Sequence, residues 1–234
     1  LDAGIAAPGL LGADGPRTYL IMIQNEDELR ATGGFLSAVA VVTVSGGEIL
    51  RFKAEDSYAI DDLTKPYLYA PDPLRRYMAA HIWLLRDANW SPDFPTSARE
   101  VEGLYIYTRP GPIDGVIAID QMAVRLLLEA IGPISSTTST DVVTADNLIT
   151  FMRAAYSPPP GQAMTSEWWG QRKNFIGELS GSIMTKVKTS SAASLLTLGR
   201  ATLRALDTRH ISIQLDDPTM TKVLARRGWD GAIR

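Results

Sequence analysis

A polar loop with the residues needed to bind phosphate follows the first apolar run of the chain. Residues 25–34 read NEDELRATGG and include Arg30, Gly33 and Gly34. Glycines let backbone amides approach a phosphate closely, and an arginine can bind two of its oxygens through parallel hydrogen bonds. The spacing matches neither a Walker loop nor a dinucleotide fingerprint, so a simple polar turn is the plainer interpretation of this loop taken alone.

A second candidate loop carries carboxylates. Glu55, Asp56 and Ser57 follow a predicted hairpin strand, and Asp61 and Asp62 come shortly afterwards. Clustered carboxylates are ligands for hard cations, and we therefore consider Asp56 as a Mg²⁺ ligand. Surface loops are also acidic simply because charge keeps them solvated, so this second explanation stays open.

The third candidate is residues 86–95, which read RDANWSPDFP. Arg86, Asp87 and Asp93 lie here in a segment with two prolines, which restrict the backbone and favour one rigid shape. Rigid loops on a scaffold often carry binding sites. The alternative is a structural corner in which Arg86 pairs with Asp87 while Trp90 and Phe94 are buried.

A fourth candidate lies in the first turns of a long predicted helix. Arg172 and Lys173 follow Trp168 and Trp169 there. Helix N-termini attract anions, and basic side chains at that end suggest a bound anion or an acidic neighbour. A solvated basic turn above buried tryptophans is the alternative.

Composition excludes several classes of protein. The chain has 234 residues, of which 45% are hydrophobic and 21% charged, as in ordinary globular proteins. Its net charge of -3 argues against a nucleic-acid partner. The absence of cysteine excludes disulfides and thiolate chemistry. Only two histidines are present, His81 and His210, which argues against a multi-histidine metal site and weakens the case for a Ser-His hydrolase.

The hydrophobic pattern predicts alternating strands and helices. We expect residues 1–16, rich in Gly, Pro and Ala, to form a tether, and residues 17–234 to form a single α/β domain. Strands are predicted at 18–24, 35–44, 48–53, 114–119 and 211–215, the last at a sheet edge. Helices are predicted from about residue 73, at 97–107 behind a Ser97–Glu100 capping box, and at 121–131, 144–156, 166–188, 192–206 and 218–227.

Four segments resemble an uncharacterised bacterial surface family, the domain of unknown function 4012. They are residues 18–42 (TYLIMIQNEDELRATGGFLSAVAVV), 84–105 (LLRDANWSPDFPTSAREVEGLY), 113–134 (IDGVIAIDQMAVRLLLEAIGPI) and 226–232 (RRGWDGA). The RDANWSPDFP stretch is the most specific of these. The resemblance covers nearly the whole chain and implies a surface location rather than a particular reaction.

A more distant resemblance is to the LytR-CpsA-Psr family of cell-wall glycopolymer transferases. Arg30-Ala31-Thr32 stands where that family has Arg-Ser-Asp-Thr, and Glu55-Asp56-Ser57 stands where it has Arg-Asp-Ser/Thr. The segments 113–120, 126–134 and 170–174 correspond to its next strand, its Gly-terminated helix and its Gly-Arg-x-x-Arg-Gln helix start. The resemblance implies a three-layer α/β/α sandwich with a mixed central sheet.

The activity implied by this resemblance is transfer of a phosphate-linked glycan from a polyprenyl pyrophosphate carrier. Arg30 and Arg172 or Lys173 would bind the pyrophosphate, with Gly33 and Gly34 beside it, and Asp56 would bind Mg²⁺. The aspartate of the family's Arg-Ser-Asp-Thr motif is replaced here by Thr32-Gly33, and the arginine of its Arg-Asp-Ser/Thr motif is replaced by Glu55. Arg86, Asp87 and Asp93 would compensate by completing the site.

The leading hypothesis is therefore a LytR-CpsA-Psr-like protein on the outer side of a bacterial membrane, held there by a segment outside this sequence. It would bind, and transfer, a polyprenyl-phosphate-linked cell-envelope polymer. The alternative is a non-catalytic surface module of the same fold that binds glycan or protein, which the replaced motif residues favour. A metal-dependent phosphoesterase ranks third, because it needs a tighter acidic cluster.

Overall fold

The computed structural model describes residues 8–135, 142–158, 161, 163–171 and 173–234, and these form two compact units. One unit is Leu1–Asp120 with Arg209–Arg234, and the other is Gln121–Thr208. The strands of the described residues are β1 (Arg17–Asn25), β2 (Phe35–Ser45), β3 (Glu48–Asp56), β4 (Gly115–Ile119), β5 (Ile134–Ser135), β6 (Val142–Val143) and β7 (Ile211–Leu215).

Their helices are α1 (Asp72–Met78), α2 (Phe94–Thr108), α3 (Gln121–Ile131), α4 (Leu148–Tyr156), α5 (Ser166–Gln171), α6 (Asn174–Lys188), α7 (Ala192–Asp207) and α8 (Pro218–Arg227). Short 3-10 turns occur at Ser57–Ala59 and Leu85–Asp87. Strands β1 to β3 come first among the described elements, and helices α4 to α7 follow one another between β6 and β7.

A mixed sheet of five described strands organises the first unit, in the order β3-β2-β1-β4-β7. β1 to β3 form an antiparallel meander, β4 runs parallel to β1, and β7 is antiparallel to β4 at the sheet edge. The predicted α/β class with a mixed central sheet is confirmed. Because β1, β3 and β4 run in the same direction, their carboxyl ends lie together, beside the start of the antiparallel strand β7. We call this side of the sheet, where these strand ends lie, the site edge.

Apolar residues of the central strands pack against α2. Leu20 and Met22 of β1, Val39 of β2 and Val116 of β4 belong to the same core cluster as Val101 of α2. Fully burying an aliphatic side chain of this size stabilises a fold by about 1.5–3 kcal/mol. The loops at the site edge are therefore attached to a rigid base.

Helix α2 begins earlier than the predicted capping box. Asp93, rather than Ser97, is the N-cap, since its carboxylate accepts a hydrogen bond from the Thr96 amide at 3.1 Å. Ser97 is buried within the helix, and its hydroxyl donates to the carbonyl of Ser91 at 2.9 Å. The prediction that a Ser97–Glu100 capping box begins this helix is thus wrong, because Asp93, just before Phe94-Pro95, caps the helix instead.

The second unit is helical apart from β5 and β6, among the residues described. Helix α3 packs on α7, and α6 contacts α3. The single helix predicted for 166–188 is interrupted, because α6 starts afresh at Asn174 with Lys173 as its N-cap. Gly170, a weak helix former, precedes the interruption.

Part of the predicted tether packs on the first unit. The carbonyls of Leu11 and Gly12 accept hydrogen bonds from the amides of Gly47 and Gly46, and the Tyr19 hydroxyl donates to the carbonyl of Leu10 at 2.8 Å. Residues 10–12 are thus fixed to the β2–β3 hairpin. In the portion of the chain with described structure, no helix has both the length and the apolar character required to cross a bilayer.

Candidate functional site

Two arginines from separate segments converge on one carboxylate beside the site edge. Arg30 Nη2 lies 3.9 Å from Asp87 Oδ1, and Arg86 Nε lies 3.8 Å from Asp87 Oδ2. Arg30 belongs to the loop between β1 and β2, whereas Arg86 and Asp87 belong to the 3-10 turn before α2. The structure therefore brings three of the predicted site residues together. We call Arg30 and Arg86 the arginine pair.

Aromatic rings support both guanidinium groups. The Arg30 guanidinium lies 5.1 Å from the Phe35 ring centroid, and that of Arg86 lies 4.6 Å from the Tyr58 ring centroid. The two rings are themselves neighbours, with centroids 6.3 Å apart. A cation over an aromatic face keeps its orientation while its edge stays free to donate hydrogen bonds.

The arginine pair carries more positive charge than Asp87 neutralises. Asp87 is buried, and burial raises the pKa of its carboxyl, whereas Arg86 and Arg30 oppose the rise. Both arginine side chains remain partly accessible, at 17% for Arg30 and 29% for Arg86. Asp61 also interacts electrostatically with Arg86 and Asp87, so the cluster contains two arginines and two acids. It favours a bound anion through the partly accessible N–H donors of the guanidiniums.

The loop that carries Arg30 is held by buried amides. Asn89, which is fully buried, donates from its side chain to the carbonyl of Gly34 at 2.8 Å and to the hydroxyl of Thr32 at 3.0 Å. The side-chain amide of Gln24 donates to the same two groups at 3.3 Å. The loop between β1 and β2 is therefore held by Gln24 of β1 and by Asn89, which follows the 3-10 turn at Leu85–Asp87.

The two glycines of this loop have a structural requirement. Gly33 and Gly34 adopt φ values of 120° and 140°, which side chains rarely tolerate. A Cβ on Gly34 would lie 2.3 Å from the carbonyl oxygen of Asn25. Close packing of the loop on the end of β1 thus explains Gly34, and contact of both glycines with substrate stays a prediction.

Asp56 ends β3 at the site edge and caps the turn that follows. Its Oδ1 accepts a hydrogen bond from the Tyr58 amide at 3.0 Å, and the neighbouring Ser57 hydroxyl donates to the carbonyl of Ser37 at 3.0 Å. Among the described side chains, Asp56 is not part of a group of three metal-binding residues. It fits Mg²⁺ as one carboxylate ligand alongside phosphate oxygens and water, which is how proteins commonly hold this ion.

The remaining predicted residues are more widely distributed. Asp93 caps α2, and the hydrogen bond from the Thr96 hydroxyl lowers the pKa of its carboxyl, with a smaller contribution from the Ile233 amide at 3.1 Å. Its carboxylate is thus used to join α2 to the chain end, which accounts for Asp93 without a substrate. Lys173 is buried in the second unit. Arg172 lies outside the described residues.

Two residues of the candidate segments, the half-buried Asp61 and the buried Asn89, lie near the arginine pair in roles that the sequence does not indicate. Asp61 accepts from the Leu85 amide at 3.1 Å, and burial raises the pKa of its carboxyl. Asn89 holds the loop, as described above. Neither residue type indicates burial in a polar segment, so the sequence contains no signal that would have separated Asp61 from its exposed neighbour Asp62.

A largely apolar cavity of about 500 Å³ lies in the first unit. It is lined by Pro66, Tyr67, Leu68, Trp83, Glu100, Gly103, Leu104 and Tyr107. Trp83 in its wall is separated from Arg86 only by Leu84 and Leu85 along the chain. A second cavity, of about 770 Å³, lies at the opposite edge of the sheet and is lined by charged residues that include Asp14, Arg17, Asp114 and Arg226.

The fold matches solved bacterial structures over most of the chain. TagV of B. subtilis aligns with a TM-score of 0.52 and 12% identity, covering 92% of this chain and 80% of that one. A LytR-Csp2A-Psr enzyme from Actinomyces oris aligns with a TM-score of 0.50 and 12% identity, covering 92% and 76%. Protein gbs0355 of Streptococcus agalactiae gives 0.50 and 15%, covering 98% and 78%.

These matches define the class: the chain has the LytR-CpsA-Psr fold, as its sequence resemblance predicts. Residues 14–156, more than half of the chain, match the family model described as protein of unknown function (DUF4012). The chain belongs to that family. No curated protein matches it.

Proposed function

We propose that the protein acts at the bacterial cell envelope, where it binds and transfers a glycopolymer linked to a polyprenyl phosphate or pyrophosphate. The observation that carries this proposal is the arginine pair on Asp87 at the site edge. In open α/β folds, ligands bind beyond the carboxyl ends of the strands. The fold shared with the Actinomyces oris enzyme, which is named as a LytR-Csp2A-Psr enzyme, supports the same class of chemistry.

The arginine pair suits a phosphate ligand. Its contacts with Asp87, at 3.8 and 3.9 Å, are longer than hydrogen bonds, so guanidinium N–H groups remain available. Arginine presents several donors in one plane and binds phosphate through two of them at once. Phosphoryl transfer depends mainly on positioning and on neutralising charge, which fixed arginines supply.

The apolar cavity beside Trp83 offers a place for the first isoprene units of the carrier. Its walls are aromatic and aliphatic apart from Glu100, and the chain leads directly from Trp83 to Arg86. A carrier with its phosphates at Arg86 would bury its lipid chain here. Burial of isoprenoid surface contributes about 25 cal/mol per Å² to binding.

We assign Asp56 as the protein ligand of a Mg²⁺ ion that accompanies the pyrophosphate. When bound, that ion supplies positive charge to the phosphate oxygens. Asp56 is positioned for this by its place at the end of β3, where the Tyr58 amide fixes one of its carboxylate oxygens. That Arg172 and Lys173 bind phosphate stays a prediction, and so does attachment of the protein to a membrane.

A non-catalytic binding module is the second candidate. Arg30 makes several contacts inside the protein, since it lies over Phe35, pairs with Asp87 and donates to the carbonyl of Leu29 at 2.9 Å. These contacts favour a structural use of the guanidinium. The protein would then bind glycan or a partner at the cell surface without transferring it.

Calorimetry with geranylgeranyl pyrophosphate and Mg²⁺ tests the binding claim. We expect the Arg30→Gln variant to bind at least about tenfold more weakly, because a charge-assisted hydrogen bond contributes about 1.5–3 kcal/mol. Arg51→Gln is the control, since Arg51 is exposed on β3. Equal affinity of the Arg30→Gln variant and the wild type, or no binding by either, contradicts the proposal.

Turnover of a lipid-linked glycan separates the two candidates. Transfer breaks the P–O–P bond of the carrier, joins the phosphate-linked glycan to an acceptor hydroxyl and leaves polyprenyl phosphate. Release of polyprenyl phosphate by the wild type in the presence of an acceptor, with loss of release in Arg86→Gln, supports transfer. Binding without release supports the non-catalytic module.

A further inference from the structure

Three side chains that bind metals in many proteins meet at the site edge, in a place the sequence did not indicate. Glu26, Asp120 and His210 each offer a ligand atom, and these atoms lie within 4.8 Å of one another. Glu26 follows β1, Asp120 follows β4 and His210 precedes β7. All three belong to the first compact unit.

The register of the sheet explains why these residues meet. Ile23 of β1 is paired with Ile119 of β4, and Ile119 is paired with Ile211 of β7. The three neighbouring strands therefore reach the site edge at the same level. Residues just beyond that level are brought together by backbone pairing, which makes their proximity a property of the fold rather than of flexible side chains.

Asp120 and His210 are oriented before any ligand arrives. Asp120 is 7% exposed, and its Oδ2 lies 2.8 Å from His210 Nδ1. The Asp120 amide also donates to the carbonyl of His210 at 3.3 Å. A side-chain contact and a backbone contact between the same two residues hold the carboxylate and the imidazole in one arrangement.

We propose that Glu26, Asp120 and His210 form a binding site for a first-row divalent metal ion, Zn²⁺ or Mn²⁺. Metal–ligand bonds of about 2.0–2.2 Å place neighbouring ligand atoms about 3.0–3.4 Å apart. The ligand atoms here lie within 4.8 Å of one another, so they would move closer together on binding, and the metal would either replace the Asp120–His210 hydrogen bond or use the other imidazole nitrogen. Imidazole favours such ions over Mg²⁺ and Ca²⁺, while the carboxylates supply the negative charge. Three protein ligands leave positions for water or for an anion such as a phosphate.

This metal site is independent of the proposed Mg²⁺ ligand Asp56 and of the arginine pair. Its ligands are different residues, one of them a nitrogen donor, and its test requires no lipid. Failure of one proposal therefore leaves the other standing.

The composition provides a matched control for the experiment. The chain has no cysteine and only two histidines, so His81→Ala and His210→Ala distinguish the two imidazoles that could bind a metal. His81 is exposed. Titration of the metal-free wild type with Zn²⁺ or Mn²⁺ by calorimetry should show one equivalent bound, with at least tenfold weaker binding for His210→Ala and no change for His81→Ala.

Co²⁺ gives a spectroscopic measurement of the same site. We expect visible d–d bands when Co²⁺ is added to the wild type, their loss in His210→Ala, and no displacement by a tenfold excess of Mg²⁺. If His210→Ala fails to fold, Glu26→Gln takes its place, because Glu26 lies in a partly exposed loop. The absence of Zn²⁺, Mn²⁺ and Co²⁺ binding by the wild type, binding unaffected in the folded variant used, or loss of binding in His81→Ala overturns the proposal.

Discussion

The side-chain amide nitrogen of Asn89 lies 2.8 Å from the carbonyl oxygen of Gly34, although the two residues are 55 positions apart in the chain. Asn89 follows Arg86 and Asp87, and Gly34 ends the loop that carries Arg30. This hydrogen bond therefore joins two segments that the sequence identifies separately as candidates. It explains how arginines from both segments reach the same carboxylate.

Asn89→Ala should lower the free energy of unfolding by about 1–3 kcal/mol, since it leaves buried acceptors with fewer donors. Urea denaturation monitored by circular dichroism measures the change. Asn174→Ala serves as the control, because Asn174 is exposed at the start of α6. A loss no larger than that of the control would show that Asn89 does not hold the loop.

Gly34→Ala should destabilise the protein by about 2 kcal/mol or more, because alanine at a positive φ is strained and its Cβ would contact the Asn25 carbonyl. Gly103→Ala is the opposite case. Gly103 lies in the middle of α2 with open space beside it, so alanine there should add about 0.5–1 kcal/mol.

Thermal unfolding of both glycine variants measures whether each substitution lowers or raises the stability of the protein. Destabilisation in Gly34→Ala together with stabilisation in Gly103→Ala is the expected pattern. Changes of the same sign and size would mean that the loop adjusts to a side chain at position 34.

The adjacent residues Asp61 and Asp62 should have opposite effects on the pH dependence of stability. Burial raises the pKa of Asp61, so its contribution is present at low pH and is lost as the pH rises through that raised pKa. Hydrogen bonds from Thr64 lower the pKa of Asp62, so its contribution is present above the ordinary pKa of 3.8 and is lost as the pH falls through the lowered value.

Asp61→Asn should therefore become more stable relative to the wild type as the pH rises above 3.8, while Asp62→Asn should be less stable than the wild type above 3.8 and should lose this difference as the pH falls below 3.8. Free energies of unfolding at several pH values measure both trends. Parallel pH profiles for the wild type and the Asp61→Asn variant would show that the Asp61 carboxyl is solvated in the folded protein.

The sheet could be predicted largely from the sequence, and the helix ends less well. Residues 35–44 are rich in valine and alanine and form most of β2, and the predicted hairpin turn holds Gly46 and Gly47 at positive φ. The start of α2 was misplaced because Asp93 and Ser97 are both good N-caps, and only the fold decides which one is used.

The site could be predicted only in parts. Arg30 and Arg86 are each recognisable from their loops, and the pairing of Arg86 with Asp87 is one of the alternatives that the sequence offers. That Arg30 reaches the same carboxylate appears only when the fold brings the loops together. Asp120 and His210 are 90 positions apart, and each is ordinary in its local segment. Local patterns report local structure, whereas these contacts depend on the pairing of distant strands.

A structure of the protein bound to a polyprenyl pyrophosphate analogue and Mg²⁺ would show where the phosphates bind. We expect phosphate oxygens within about 3 Å of the Arg30 and Arg86 guanidinium nitrogens, with the lipid chain leading towards Trp83. Phosphates bound away from both arginines, for instance in the cavity between Arg17 and Arg226 at the opposite edge of the sheet, would contradict this expectation.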